Sequence, residues 1–199
     1  PKKILLGHGS GGRLMHSLIK DLILKKLNNP FLRELSDAAV LPYKEKIAFT
    51  TDAFVVTPLV FPGGDIGKLS VCGTVNDLVM LGAVPQYLSL ALILEEGLDT
   101  KLLESVIDSI AIHSRKAKVV CVTGDIKVVE KGSCDKIFIT TSGIGRIIKK
   151  RGLSVRNIRA GDKVIVSGDI GRHGIAVLSK RKELDLKFNV TSDCASLEG

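Results

Sequence analysis

The chain has no tryptophan and only two tyrosines among its 199 residues, so a surface that stacks nucleobases on aromatic rings has little to be built from. It also lacks an apolar run of membrane-spanning length. The longest near-apolar stretch, YLSLALIL from Tyr87 to Leu94, falls far short of the roughly 18 residues a span needs, and no signal-like apolar segment follows Lys2 and Lys3. That reads as a cytosolic chain. Cysteine is sparse too: Cys72, Cys121, Cys134 and Cys194 show no C-x-x-C spacing, which suggests neither a zinc site nor a disulfide framework. Cys72 and Cys121 sit among apolar neighbours, as small core residues do. What is present is 45% hydrophobic residues, enough for one large core or two modest ones in a globular chain.

The net charge of +8 is unevenly spread. Residues 1–99 hold ten Lys and Arg against ten Asp and Glu, so the excess belongs to the second half. It clusters in KKR at Lys149 to Arg151, at Arg156 and Arg159, and around Lys180 to Lys182. Without interleaved aromatics, solvated helix ends and linkers explain this better than a nucleic-acid face.

Periodicity gives a coarse architecture. IAFTTD (Ile47 to Asp52) reads as a strand, and FVVTPLVF continues in extended form until PGGD breaks it. From Gly67 to Leu81, apolar residues recur at helical spacing, and Gly82 with Pro85 supplies the stop. YLSLALIL is a buried strand. Asp99 or Thr100 caps a second helix reaching about Arg115, and KVVCVT and KIFITTSGIG are further strands. The order predicts an α+β fold with a mixed sheet whose one face is covered by helices. A basic, glycine-containing stretch near Lys149 to Leu153 marks a boundary, giving one domain over 1–150 and the start of a second, α/β domain over 151–199. There KVIVSG (Lys163 to Gly168) reads as a strand and HGIAVLSKR as a helix, in a unit too short to close a core alone.

Four carboxylates stand out. Asp37 lies in LSDAAVL, Asp52 closes IAFTTD, Asp77 sits within an apolar helix, and Asp125 occupies TGDIK, read as a turn between two strands. An unpaired buried charge at Asp77 would cost several kcal/mol, so Asn76 and a cation are its expected compensation. Singly, each aspartate suits a cap or a turn. Together, converging at one sheet edge, they suit Mg²⁺ held by one or two carboxylates and substrate phosphates. The N-terminal run LLGHGSGG adds bare backbone that a phosphate can approach, although a frayed terminus gives the same composition.

HGSGGR, LSDAAVL, the run from Thr50 to Gly97, VTGDIKVVEKG, IFITTSGIG and GRHGIAVLS resemble, in this order, the HypE family of carbamoyl dehydratases, hydrogenase maturation factors. That family belongs to the ATP-binding superfamily of aminoimidazole ribonucleotide synthetase, selenophosphate synthetase and thiamine monophosphate kinase. The resemblance implies ATP-dependent dehydration of an S-carboxamide on the protein's own C-terminal cysteine to a thiocyanate, the source of the cyanide ligands of nickel-iron hydrogenase. It implies ATP and Mg²⁺ at Asp37, Asp52, Asp77 and Asp125, with Asn76 beside them and His8, Gly9, Ser10, Gly11 and Gly12 as a lid over the nucleotide. It implies Lys127 as the catalytic cation beside transferring phosphate. It also implies a homodimer whose first domains pair into one barrel, and HypF and the HypC/HypD iron scaffold as partners.

Three departures bear on this. Ile126 replaces the family's threonine after Asp125, and Arg172 stands where an acidic residue is common. The family ends in Pro-Arg-(Val/Ile)-Cys, whereas this sequence ends CASLEG, and Cys194 matches an internal SDC segment instead. The expectation is therefore a fragment lacking the substrate cysteine and inactive in the full dehydration. A small-molecule kinase or synthetase of the same superfamily, or a non-catalytic partner-binding module, are the alternatives. His16, His113 and His173 are expected at helix surfaces or in packing, not in a nucleophile triad.

Overall fold

A computed structural model of the chain describes residues 3–9, 12–33, 43–148, 153, 155–181 and 189–198. The N-terminal segment forms a 3₁₀ turn (Leu6–Gly9), then α1 (Arg13–Leu18), a π-helical stretch (Ile19–Ile23), α2 (Leu24–Lys26) and α3 (Pro30–Arg33). Next come β1 (Ile47–Phe54), the short pair β2 (Val60–Phe61) and β3 (Gly64–Asp65), and α4 (Ile66–Met80). β4 (Ala83–Glu95), α5 (Thr100–Lys116), β5 (Val120–Val129), β6 (Ile137–Ile147) and α6 (Arg172–Leu178) complete the order. The expected α+β fold with a mixed sheet is what forms, α4 and α5 covering one face, while Phe31 of α3 packs edge-on against Tyr87 of β4.

The main sheet has strand order β1-β6-β4-β5. β6 runs antiparallel to β1 and β4, while β4 and β5 are parallel and joined through α5, because a parallel pair needs a long crossover. Leu88, Leu90, Leu92 and Leu94 alternate along β4 and are all buried in the core with α5 residues Leu103, Val106, Ile107 and Ile110. α4 starts because Asp65 is extended and its Oδ1 accepts the Lys68 N–H at 3.0 Å. It ends at Gly82, whose φ of 70° no side chain opposes. α5 begins in the same way, with Asp99 Oδ1 accepting the Lys101 N–H at 2.9 Å. Lys26 Nζ reaches Asp108 at 2.7 Å and Glu104 at 3.4 Å, tying α2 to α5.

Four local expectations are corrected. PGGD does not merely break an extended run; it turns β2 into β3. Pro85 does not end structure but lies inside β4, where the register against β6 shifts between Pro85 and Tyr87 and relieves the ladder of a donor that proline lacks. TGDIK is not a turn: β5 runs straight through it. KVIVSG forms no strand, and Val164 and Ile165 are 93% and 88% exposed, because among the described residues no strand lies beside them to pair with. HGIAVL is helical, as expected, in α6.

α4 meets the sheet through small residues. A Cβ at Gly143 would stand 2.7 Å from Thr74 Cγ2, and beside it the hydroxyls of Thr74 and Thr141, 0% and 2% exposed, bond to each other. Thr74→Val alone orphans the Thr141 hydroxyl and should cost about 1–3 kcal/mol in urea unfolding, whereas Thr74→Val with Thr141→Val should cost less than the two single changes added together.

Candidate functional site

Register and alternation assign each candidate to a face. On β1, Ala48, Thr50, Asp52 and Phe54 point toward the helices; Ile47, Phe49, Thr51 and Ala53 point to the opposite, open face. On the open face the strands align in rows. Phe49, Ile144 and Tyr87 form one, Thr51, Ser142, Ser89 and Thr123 a row of four hydroxyls, and Ala53, Thr140, Ala91 and Asp125 the next. Ser142 Oγ donates to Thr51 Oγ1 at 3.2 Å within the hydroxyl row.

Asp52 and Asp77 come together on the helix side at the β1 edge. Asp77 is exposed on α4 and its Oδ2 accepts the Thr50 hydroxyl at 2.8 Å. Asp52 Oδ2 lies 3.6 Å from where a Cβ of Gly73 would be, one helical turn before Asp77. The expected burial penalty at Asp77 is thus absent, since the charge reaches water. Asn76 does not compensate Asp77 either. Its amide Nδ2 donates to the Ala195 carbonyl at 3.0 Å, and its Oδ1 accepts the Leu197 N–H at 2.8 Å, so it holds a distant segment by the backbone.

Asp125 and Lys127, both exposed, lie on β5 and share the open face. β5 and β1 are opposite edges of the sheet, so one chain does not converge its carboxylates at a single edge as expected. Among the described residues, no group of three or more His, Cys, Asp or Glu side chains is placed to hold a metal. Asp37, Ser10 and Gly11 lie outside the described residues. The departure at Ile126 is harmless to the open face, because that side chain is buried on the helix side, away from Asp125 and Lys127.

The glycine-rich turn packs against β5 and so joins Asp125 and Lys127, not Asp52 and Asp77. Its position is fixed by Ile4, which donates to the Leu98 carbonyl at 2.8 Å and accepts from Gly97 N at 2.7 Å. His8 folds back on its own turn, with Nδ1 3.0 Å from the Leu5 N–H. Gly9 closes the turn, and Gly12 precedes α1 without a side-chain cap. A cavity of about 440 Å³ lies between α1–α3 and β4–β5, walled by Met15, Ile19, Leu27, Leu90 and Leu92, with Thr123 and Asp125 also lining it.

The histidines behave as expected for packing. His173 stacks edge-on against Phe61 at 5.1 Å, with Nδ1 3.0 Å from Ser192 Oγ, and His16 is exposed on α1. Arg172 pairs with Asp169 at 3.2 Å and donates to Thr191. Sequence reasoning missed the hydroxyl row, whose members are scattered over four strands and align only through register.

Gly124 separates what is structural here from what is chemical. A Cβ there would stand 2.3 Å from the Leu90 carbonyl oxygen, so Gly124→Ala should destabilise the chain by about 1–3 kcal/mol or more in denaturant titrations. The neighbouring exposed Asp125→Asn should move stability by no more than about 0.5 kcal/mol.

Residues 35–147 match the family model described as AIR synthase related protein, N-terminal domain. The carbamoyl dehydratase HypE of Escherichia coli K12 is 45% identical over 200 aligned residues, which cover 98% of this chain and 60% of the relative. The chain thus spans about 60% of the length of that curated relative. Among solved structures, HypE in complex with ATP is 51% identical with a TM-score of 0.93, covering 96% of this chain and 57% of that one. A HypE–HypF complex superposes with a TM-score of 0.73 at 48% identity, covering 91% of this chain and 59% of that one.

Proposed function

The chain belongs to the AIR synthase-related family, and on that premise we propose that it is the nucleotide-binding part of a cytoplasmic ATP-dependent carbamoyl dehydratase of hydrogenase maturation. The observation that carries this reading is the likeness, over 96% of the chain, to a HypE protein solved with ATP. In the reaction, the oxygen of a carboxamide carried on the sulfur of the full-length protein's C-terminal cysteine attacks the γ-phosphorus of ATP, and ADP leaves. Loss of the two nitrogen protons then expels that oxygen as phosphate, leaving a thiocyanate. Phosphorylation is what turns a poor leaving group into a good one.

Asp52 and Asp77 are the side chains suited to Mg²⁺: hard oxygen donors on adjacent elements, with the Thr50 hydroxyl engaging Asp77 Oδ2 and leaving Oδ1 to a metal. The ion, when bound, neutralises phosphate charge. Thr50 orients the Asp77 carboxylate for that contact. Lys127, beside Asp125 on the open face, supplies a cation for transferring phosphate, and the turn through His8 and Gly9, with Gly12 beyond it, brings backbone N–H groups toward the same strand.

A second copy completes this arrangement. On the open face Phe49, Thr51, Ala53 and Thr140 are exposed, and a two-fold axis along its strands sets the Asp125 edge of one copy near the Asp52 edge of the other. The homodimer accounts for why one chain holds its acids at opposite edges. HypF is the proposed donor of the carboxamide, in line with the HypE–HypF complex, and the HypC/HypD scaffold the proposed acceptor of the cyano group.

Calorimetric titration with ATP, with and without Mg²⁺, tests the reading. Magnesium-dependent binding is expected, weakened about tenfold or more by Asp77→Asn. A folded, dimeric chain that binds no nucleotide would overturn it.

A further inference from the structure

We propose that Cys72 and Cys194 form a thiol–disulfide exchange site, which crosslinks α4 reversibly to the segment 189–198 when a low-molecular-weight disulfide serves as oxidant.

The two cysteines are 122 positions apart, yet three sets of contacts hold them together. Asn76, one turn after Cys72 on α4, grips the backbone on both sides of Ser196, at Ala195 and Leu197, and so lays the residue before Ala195 over Cys72. Upstream, Ser192 N donates to the Pro62 carbonyl at 2.8 Å, and a Cβ on Gly63 would stand 2.8 Å from Ser192 N, so the segment lies flat against the turn that leads into α4. From α6, Asp193 Oδ1 accepts the His173 N–H at 2.9 Å, and Ser192 Oγ accepts the Cys194 N–H at 3.0 Å, which fixes the backbone on which Cys194 sits. The outcome is that the Cys194 side chain is set against Cys72, close enough for each to be the first influence on the other's thiol. Both cysteines are free thiols.

Their environments differ in a way that suits exchange. Cys72 is 3% exposed, and its thiol is pulled below the usual range, first by the Cys194 hydrogen bond and then by the Lys68 ammonium, against burial and Asp65. Cys194 is half-buried, and its thiol is pushed up by the Cys72 contact and by burial. Cys72 is thus the more readily ionised thiol of the two, and Cys194 carries the half-buried sulfur that meets the reagent. Cys121 is the contrast: fully enclosed, its thiol is pushed up to about 12 by burial, and it is inert.

The chemistry balances with the reagent alone. The Cys194 sulfur attacks the reagent's S–S bond, which breaks; a mixed disulfide forms, one thiolate leaves, and the Cys194 proton goes to solvent. The Cys72 thiol then gives its proton to solvent and attacks the Cys194 sulfur, breaking the mixed disulfide, forming the Cys72–Cys194 bond and releasing the second thiolate. The two cysteines lose two electrons and two protons, and the reagent is reduced to two thiols.

The test takes the whole chain, fully reduced, through oxidised glutathione, then alkylation and peptide mapping. Expected is the loss of two of the four alkylatable thiols, a chain about 2 Da lighter, one Cys72–Cys194 linked peptide, and full reversal by dithiothreitol. Limited proteolysis within 189–198 slows on oxidation, and Cys194→Ser, a change at a half-buried site, abolishes both effects while Cys72→Ser accumulates the mixed disulfide at Cys194. A glutathione adduct that persists on Cys194 in the unaltered chain, a crosslink through Cys121 or Cys134, or four unreacted thiols would each overturn the proposal.

Discussion

Four leucines at alternate positions of β4 set the rest of this structure. Because a strand has a period of two, burying Leu88, Leu90, Leu92 and Leu94 under the helices assigns every intervening residue to the other face. β4 is hydrogen-bonded on both sides, to β5 and β6, so that assignment passes across the sheet, and through β6 it reaches β1. The position of Asp125 on the open face and of Asp52 beneath α4 both follow from it. A one-residue slip anywhere in β4 would exchange the chemistry of the two faces.

The same constraint explains the electrostatics. Asp77 needs no buried counter-charge because α4 presents it at the edge strand, where water and the Thr50 hydroxyl share its solvation. Asp125 and Lys127 are two residues apart and so share a face, their opposite charges close enough to moderate each other in water. Ile126 between them is given to the core. The face that carries them is polar in the middle and apolar toward Phe49 and Ile144, a composition between that of a solvated face and that of a core.

Much of this was legible in the sequence, and the failures have physical causes. The α4 and α5 helices were readable because apolar residues recur at helical spacing and local signals bound them, Gly82 after α4 and Asp99 before α5, whereas the Asp65 cap of α4 went unread. β5 was misjudged because Gly124 looks like a turn residue; its real cause is a carbonyl of Leu90 that leaves no room for a Cβ, a contact 34 residues away. KVIVSG has the alternation of a strand, but among the described residues no strand lies beside it to pair with. The acids looked convergent because each ends or interrupts an apolar run, but strand order, which decides their separation, leaves no trace in local pattern. Asn76 beside Asp77 suggested a shared task, whereas adjacent helical residues point about 100° apart, one toward β1 and the other toward residues 195–197.

The grip of Asn76 on that segment has the form of a single rung of sheet ladder made by a side chain. Donor and acceptor both meet main-chain groups, so the recognition ignores which side chains Ala195, Ser196 and Leu197 carry. Residues there are free to change by mutation, except to proline at position 197, where the ring would remove the N–H that the amide oxygen holds. The anchorage is thereby insulated from drift in the very stretch it secures, and all of its sequence dependence is concentrated in one asparagine on α4.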